Sequence, residues 1–293
     1  MDTKTNIRVA DATIKLTGKV SEKALTVTTT NGKTSISGYV VVKTNPENFV
    51  RINVMQNALT KDGKENKAYK GLETVMNEYK AIADVGEEAA DVVHVNGNLN
   101  PYTSRKSGQS SMGYKASFFN RAKKEVEPSE YKAEFDSEVY IIAILPKLDK
   151  DGIETDEVIV KGWLPIYNGT VEPIELTAPS DIADAVRDTY HVGDTVNFFG
   201  DIINNRIEKK TEIPATIGKP RIEISYENKN DLIITGAGEA YATSNDPKLV
   251  SKAYTKEEIA LAVQERDNNL AAQPDRSVNT TASSASANRH IDY

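Results

Sequence analysis

Apolar and polar residues alternate along most of this chain, a pattern that predicts strands with one buried face. In the stretch NFVRINVMQN, Val50, Ile52 and Val54 fall on one side of the predicted strand, while Arg51 and Asn53 fall on the other. Similar runs occur from the N-terminus to about residue 240, separated by turn dipeptides such as Asn-Gly and Asp-Gly. The chain is therefore predicted to be mainly β.

Three stretches change to a helical spacing of apolar residues. Residues 73–91 predict a helix that ends at Gly86, and residues 178–190 predict a short helix with Ser180 as its N-cap. The third begins at Thr255, which forms a capping-box pattern with the glutamate three positions later. Each of the first two helices lies between predicted strands.

The two strands that follow these helices share a pattern of apolar residues interrupted by one glycine. Val93, Val95, Gly97 and Leu99 align in this way with Val196, Phe198, Gly200 and Ile202. Glycine inside a strand marks a bulge or a sharp bend. The whole order of elements, with a helix between the third and fourth strands, occurs twice and is that of a five-stranded OB barrel. An unrelated α+β arrangement and a β-sandwich are the alternatives.

A Lys-Asp-Gly turn occurs in each predicted unit, at residues 61–63 and 150–152. We interpret both as the hairpin between the second and third strands of two tandem OB-fold-like barrels. The predicted organisation is an N-terminal β extension (1–35), a first OB-like domain (36–130), a second OB-like domain (131–245), a C-terminal helix (255–272) and a disordered tail (273–293).

Composition excludes several functions. The 293 residues contain no cysteine, so disulfides and thiolate chemistry are absent. No nucleophile elbow, zinc-protease or phosphate-loop motif occurs, and the Gly-Ala-Gly at 236–238 lacks the rest of a dinucleotide fingerprint. We therefore predict no enzyme, no cofactor and no metal site. No apolar run is long enough to span a membrane, and the expected location is the cytoplasm.

Charge is unevenly distributed, although the chain as a whole carries −7. Residues 1–135 contain 20 Lys+Arg and 16 Asp+Glu, whereas the rest of the chain is strongly acidic. The segment 101–124 contains six basic and four aromatic residues and no acidic one. Cations neutralise phosphates and aromatic rings stack on bases of any sequence, so this composition predicts binding to a single strand of nucleic acid.

The candidate nucleic-acid-binding residues come from this segment and from the strands and turn before it. They are Tyr39, Phe49, Arg51, Lys67, Tyr69, Lys70, Tyr102, Arg105, Lys106, Tyr114, Lys115, Phe118, Arg121, Lys123 and Lys124. Because neighbouring residues on a strand face opposite ways, one of Phe118 and Phe119 is expected in the core and the other outside. The alternative is a solvated, mobile loop that precedes a core strand. Weaker candidates in the second unit are Trp163, Tyr167, Arg206, Lys209, Lys210, Lys219 and Arg221.

The stretch VVHVNGNLN with its basic loop, and the stretch YHVGDTVNFFGDIIN, resemble the fourth-strand region of single-stranded DNA-binding proteins of bacteriophages and bacteria. This resemblance implies OB folds, single-stranded DNA as the partner, a role in phage replication or recombination, and contacts with proteins of those processes. The residues themselves leave the oligomeric state and the choice between DNA and RNA open. The competing hypothesis is a phage structural or assembly protein that has OB-like domains and no nucleic-acid role.

Overall fold

A computed structural model describes residues 7–104, 106–214 and 220–272. The prediction of a mainly β chain is confirmed. The strands are β1 (Ala12–Thr30), β2 (Lys33–Lys43), β3 (Phe49–Asn57), β4 (Val92–Leu99), β5 (Tyr102–Thr103), β6 (Ser110–Ser111), β7 (Tyr114–Arg121), β8 (Lys132–Leu148), β9 (Glu154–Ile166), β10 (Thr170–Ala178), β11 (Thr195–Ile213) and β12 (Arg221–Ala237). The α-helices are α1 (Lys67–Glu78), α2 (Ile82–Val85), α3 (Ser180–Thr189), α4 (Pro247–Val250) and α5 (Lys256–Ala271).

Five strands of the first half form a closed ring of pairings, which we call the first ring. Strand β1 pairs with both β2 and β4, β2 pairs with β3, and β4 pairs with β7, all antiparallel. The ring closes where β3 and β7 meet in parallel, with Asn53 beside Lys115. Helix α1 lies between β3 and β4 in the chain and buries Leu72 and Val75 against the strands.

Strands β8, β9, β10, β11 and β12 form a second ring with the same order of pairings. This ring also closes at one parallel contact, between Thr177 of β10 and Ile233 of β12. Helix α3 lies between β10 and β11, as α1 lies between β3 and β4. The two halves of the chain therefore repeat one order of strands, helix and pairings.

The irregularities of the two rings also coincide. The predicted equivalence of Gly97 and Gly200 is confirmed, because the β4–β7 pairing shifts register at Gly97 and the β11–β12 pairing shifts at Gly200. A Cβ added at either glycine would lie closer than 3 Å to a backbone oxygen of the neighbouring strand. Both positions require glycine for the close approach of two backbones.

The two rings share one continuous sheet because β1 and β8, the first strand of each ring, pair antiparallel. Ile14 lies directly opposite Phe135 in this pairing. Each of these residues also pairs with the bulge glycine of its own ring, Gly97 for Ile14 and Gly200 for Phe135. The rings are therefore related by a local two-fold arrangement centred on Ile14 and Phe135, and buried apolar residues form one core cluster through both.

Several predicted boundaries need correction. Residues 12–30, expected as an extension, form β1 and pair with β2, β4 and β8. The Lys-Asp-Gly turn at 61–63 leads from β3 into α1, whereas that at 150–152 joins β8 to β9, so the two turns are not equivalent. The equivalent of the second turn is the Asn-Gly turn at 31–32, because it joins the first two strands of its ring.

The helices begin at different residues from those predicted. Helix α1 starts at Lys67, within the stretch expected as a strand, and its N-cap Asn66 accepts a hydrogen bond from the amide of Ala68. Helix α3 has Pro179 rather than Ser180 as its N-cap. The capping box that begins α5 is confirmed at Thr255. The predicted tail at 273–293 lies outside the described residues.

Candidate nucleic-acid interface

The outward side of β2, β3 and β7 brings together several of the predicted binding residues. Alternate residues of β3 are buried in the core, so Arg51 and Asn53 face solvent. Tyr39 of β2 pairs with Asn53, and Lys115 of β7 lies on the other side of Asn53. We call the surface formed by Tyr39, Arg51, Asn53 and Lys115 the first-ring face.

The centre of this face is an arginine stacked on a tyrosine. The Cζ atom of Arg51 lies 3.6 Å from the centroid of the Tyr39 ring, a cation–π contact. The Tyr39 hydroxyl donates a hydrogen bond of 2.5 Å to Glu22 on β1, and this bond raises the pKa of Tyr39. The ring is thus held at both its edge and its face, and the guanidinium presents a planar surface and N–H groups that suit bases and phosphates.

Two cations of the first-ring face are not neutralised. Arg51 and Lys115 are both exposed, and in the described parts of the chain neither forms an ion pair. Phe49 lies at the border of the face, with the Lys43 Nζ atom 5.8 Å from its ring centroid. Lys43 is itself paired with Glu87 at 2.8 Å and holds the pKa of that carboxyl below its usual range. The unpaired positive charge of the first-ring face is therefore that of Arg51 and Lys115.

The loop between β4 and β7, residues 100–113, contains the short hairpin of β5 and β6. Tyr102 pairs with Ser111 and exposes about half of its side chain (49%). Lys106 is exposed at the end of the hairpin, and Arg105 lies outside the described residues. The Thr103 hydroxyl donates to the Glu172 Oε2 atom on β10 at 2.7 Å. This contact joins the loop to the second ring.

Two predicted aromatic residues lie in the core instead. Tyr69 of α1 is 7% exposed and Tyr114 of β7 is 4% exposed, so neither presents a ring face to solvent. Burial raises the pKa of Tyr114. The sequence could not separate them from Tyr39 and Tyr102, because a tyrosine suits both a buried and an exposed position.

The paired phenylalanines behave as predicted, because Phe119 is buried and Phe118 is 53% exposed. Phe118 pairs with Asn96 of β4 and lies three positions along β7 from Lys115, on the same outer surface of the ring. It remains a candidate for base stacking.

The remaining basic candidates lie around the first ring. Arg121 contacts Asp91 at 3.1 Å and stacks over Tyr79 at 4.5 Å, so its charge already has structural partners. Lys67 and Lys70 are exposed on α1, and Lys70 is paired with Glu65. Lys123 and Lys124 are exposed directly after β7.

The second ring has a different surface at the equivalent positions. The parallel contacts that close the rings make Asn53 equivalent to Thr177 and Lys115 equivalent to Ile233. The same registers place Ile159 where the first ring has Tyr39, and Glu175 where it has Arg51. None of the four residues of the second-ring face (Ile159, Glu175, Thr177 and Ile233) is a cation. The lysines that contact this face are ion-paired, Lys147 with Asp231 at 2.9 Å and Lys161 with Glu175 at 2.8 Å. Sequence patterns missed this contrast because it depends on strand register.

The side of β9 and β10 around this face is occupied by other parts of the chain. Arg266 of α5 lies over the Trp163 ring, with its Cζ atom 5.5 Å from the ring centroid. A groove of about 780 Å³ separates the second-ring face from the 109–112 part of the loop. Tyr167 is exposed between β9 and β10 and Arg221 is exposed on β12. The side chains of Arg206, Lys209 and Lys210 and all of Lys219 lie outside the described parts.

In the described chain, no group of three or more His, Asp or Glu side chains has the arrangement of a metal site. No helix within the described ranges is long and apolar enough to cross a membrane.

The chain matches the YorF family over residues 11–275. Among solved structures it is similar to the wild-type single-stranded DNA-binding protein from Thermus aquaticus, with 11% identity, a TM-score of 0.49, and coverage of 82% of this chain and 96% of that one. A deletion mutant of that protein gives 11% identity, a TM-score of 0.47, and coverage of 82% and 98%. At these values the likeness establishes neither a shared family nor a shared ligand. No curated protein matches the chain.

Proposed function

The chain belongs to the YorF family, and we propose from its own surface that it binds single-stranded DNA with little preference for sequence. The observation that carries the proposal is the pair of unneutralised cations on the first-ring face, with Arg51 stacked on Tyr39 at 3.6 Å and Lys115 one strand away. A phosphate backbone supplies the negative charge that these side chains lack.

The form of the face favours a single strand over a duplex. Its aromatic and guanidinium groups offer flat surfaces, and bases reach such surfaces only when they are not stacked within a double helix. Tyr102 and Lys106 on the adjacent loop provide a further ring and a further cation. Because every base has a π-face, stacking of this kind tolerates any sequence.

We further propose that each ring is an OB-type barrel and that the two have different tasks. The order of strands and the place of the helix in each ring are those of this fold. The first ring is the binding unit, because its face carries Arg51 and Lys115. The second is the supporting unit, because Glu175 stands at the position of Arg51 and, with its partner Lys161, leaves no unpaired positive charge there for a phosphate. A role in phage DNA replication or recombination is the context in which such binding is expected.

The test is a titration of labelled oligo-dT followed by fluorescence anisotropy at several salt concentrations, with a duplex of equal length beside it. We expect the protein to bind the single strand, with the logarithm of the binding constant falling linearly as the logarithm of the salt concentration rises. Binding of the duplex is expected to be weaker. Absence of binding at low salt, or equal binding of the duplex, would refute the proposal. A label is needed because Trp163 lies under Arg266 in the second ring, away from the proposed site.

A further inference from the structure

Three segments that are far apart in the sequence meet at Arg266 of α5. Its Nη2 atom donates to the Thr103 hydroxyl oxygen on the β4–β7 loop at 2.8 Å. The same hydroxyl donates to the Glu172 Oε2 atom on β10 at 2.7 Å, and the Arg266 Nε atom lies 3.7 Å from that oxygen. The helix, the first-ring loop and the second ring are therefore tied at one threonine.

This cluster is shielded from solvent. The side chains of Arg266 and Glu172 are each 14% exposed, whereas Lys70 and Glu65 on the surface of the first ring are 58% and 74% exposed. Exposed ion pairs contribute little, but a shielded pair with an additional hydrogen bond is stronger and loses more when one partner is removed. The guanidinium also covers the Trp163 ring.

The loop needs such a tie because its own structure is short. Strands β5 and β6 have two residues each, and Thr103 is one of the four. A two-stranded hairpin of this size is not stable alone in water. Thr103 directly follows Tyr102 and pairs with Ser110, so holding its side chain holds both strands of the hairpin.

We propose that Arg266 is a positioning residue that fastens the 100–113 loop to the second ring, so that the C-terminal helix controls how strongly the first ring binds single-stranded DNA. The inference rests on the proposed function for its DNA part. A loop that is ordered before binding loses less conformational entropy on binding, and affinity rises accordingly. Arg266 itself contacts no phosphate in this mechanism, since its Nη2 atom donates to Thr103 and its Nη1 atom is paired with Asp267 at 3.0 Å.

Arg266→Gln, Arg266→Lys and Thr103→Val test the loop itself, without DNA. Hydrogen–deuterium exchange of peptides that cover residues 100–113 is expected to rise about tenfold in Arg266→Gln and in Thr103→Val. The exchange in Arg266→Lys is expected to lie between that of these variants and that of the parent protein, because a lysine ammonium cannot reproduce the planar hydrogen-bonding geometry of the guanidinium. Arg187→Gln is the matched control, since Asp184, on the exposed side of α3, is the one ion-pair partner of Arg187 within the described ranges.

The DNA part is measured with labelled oligo-dT on the same proteins. We expect Arg266→Gln to weaken binding about three- to tenfold and to leave the salt slope unchanged, because no phosphate contact is lost. A lost phosphate contact would lower the slope as well, and that result would overturn the positioning role. Unchanged loop exchange in Arg266→Gln, or faster exchange with unchanged affinity, would overturn it too. If the parent protein binds no DNA, the proposed function fails, and the exchange data still decide whether Arg266 fastens the loop.

Discussion

Arg51 and Glu175 occupy the same position in the two strand rings and carry opposite charges. Arg51 pairs with Val41 across β2 and β3, and Glu175 pairs with Lys161 across β9 and β10. In each ring the pairing of the first strand with the second shifts register beside these residues. The shift lies between Val20 and Glu22 in the first ring and between Ile141 and Ala143 in the second. The two rings therefore share one strand register but carry opposite charges at this position.

The first prediction concerns the two free cations. Replacing Arg51 and Lys115 together by glutamine should weaken binding to oligo-dT and reduce the magnitude of the salt slope by about 0.7 for each cation removed. The measurement is anisotropy across a salt series. Lys161→Gln is the control, because Lys161 lies on β9 of the second ring and is paired at 2.8 Å with Glu175, the counterpart of Arg51. An equal effect of both changes would contradict the assignment to the first ring.

The second prediction separates two exposed aromatic residues. Tyr102→Ala should weaken binding to oligo-dT by about 1–3 kcal/mol, because the variant loses a stacking surface. The salt slope should stay the same, because no charge is removed. Phe118→Ala should have a smaller effect, because Phe118 pairs with Asn96 of β4, three positions away from the contact of Lys115 with Asn53. Binding isotherms of the two variants at one salt concentration give the comparison. A larger loss from Phe118→Ala than from Tyr102→Ala would place the bases along β7 and β4 rather than on the loop.

The third prediction concerns the equivalent bulges. Alanine at Gly97 or Gly200 should lower the free energy of unfolding by about 1–3 kcal/mol, because the added Cβ would meet a neighbouring backbone oxygen. Gly71→Ala in α1 meets nothing within 4 Å and should raise the free energy of unfolding by about 0.5–1 kcal/mol. Urea unfolding followed by circular dichroism measures all three. An unchanged free energy of unfolding with alanine at both bulges would show that the close backbone contact does not require glycine there.

The fourth prediction is a pH dependence of stability. Burial raises the pKa of Asp201, and the nearby Glu134 carboxylate raises it further. The folded state thus holds this proton more tightly than the unfolded chain does, so stability falls as pH rises from the unfolded to the folded pKa. Asp201→Asn should raise the Tm at pH 7 and have a smaller effect near pH 3, where the carboxyl is protonated in both states. A gain in Tm that is the same at both pH values would contradict this sign.

The sequence predicted those features that depend on neighbouring residues. Gly97 and Gly200 could be aligned because each interrupts a short alternating run, and Thr255 could be recognised as a cap from the glutamate three residues later. The two Lys-Asp-Gly turns show the limit of local patterns. The same three letters form a turn in both places, but they do not determine which elements the turn connects.

Features that depend on distant residues could not be predicted. The burial of Tyr114 is set by the elements that pack against β7, and its sequence neighbourhood resembles that of an exposed tyrosine. The contact of Thr103 with Arg266 joins positions 163 residues apart, for which no periodic pattern exists. The charge contrast between Arg51 and Glu175 becomes visible only when strand register makes the two positions comparable.

The pairing of β1 with β8 sets how many binding faces the molecule has. Two identical chains paired in this way would present the same face twice, and a ligand would bind both halves equally. Because both halves here belong to one polypeptide, a substitution alters one face and spares its counterpart. The two ring faces of the molecule therefore differ. Under the proposed function, single-stranded DNA bound across Arg51 and Lys115 would run in a defined direction relative to the second ring.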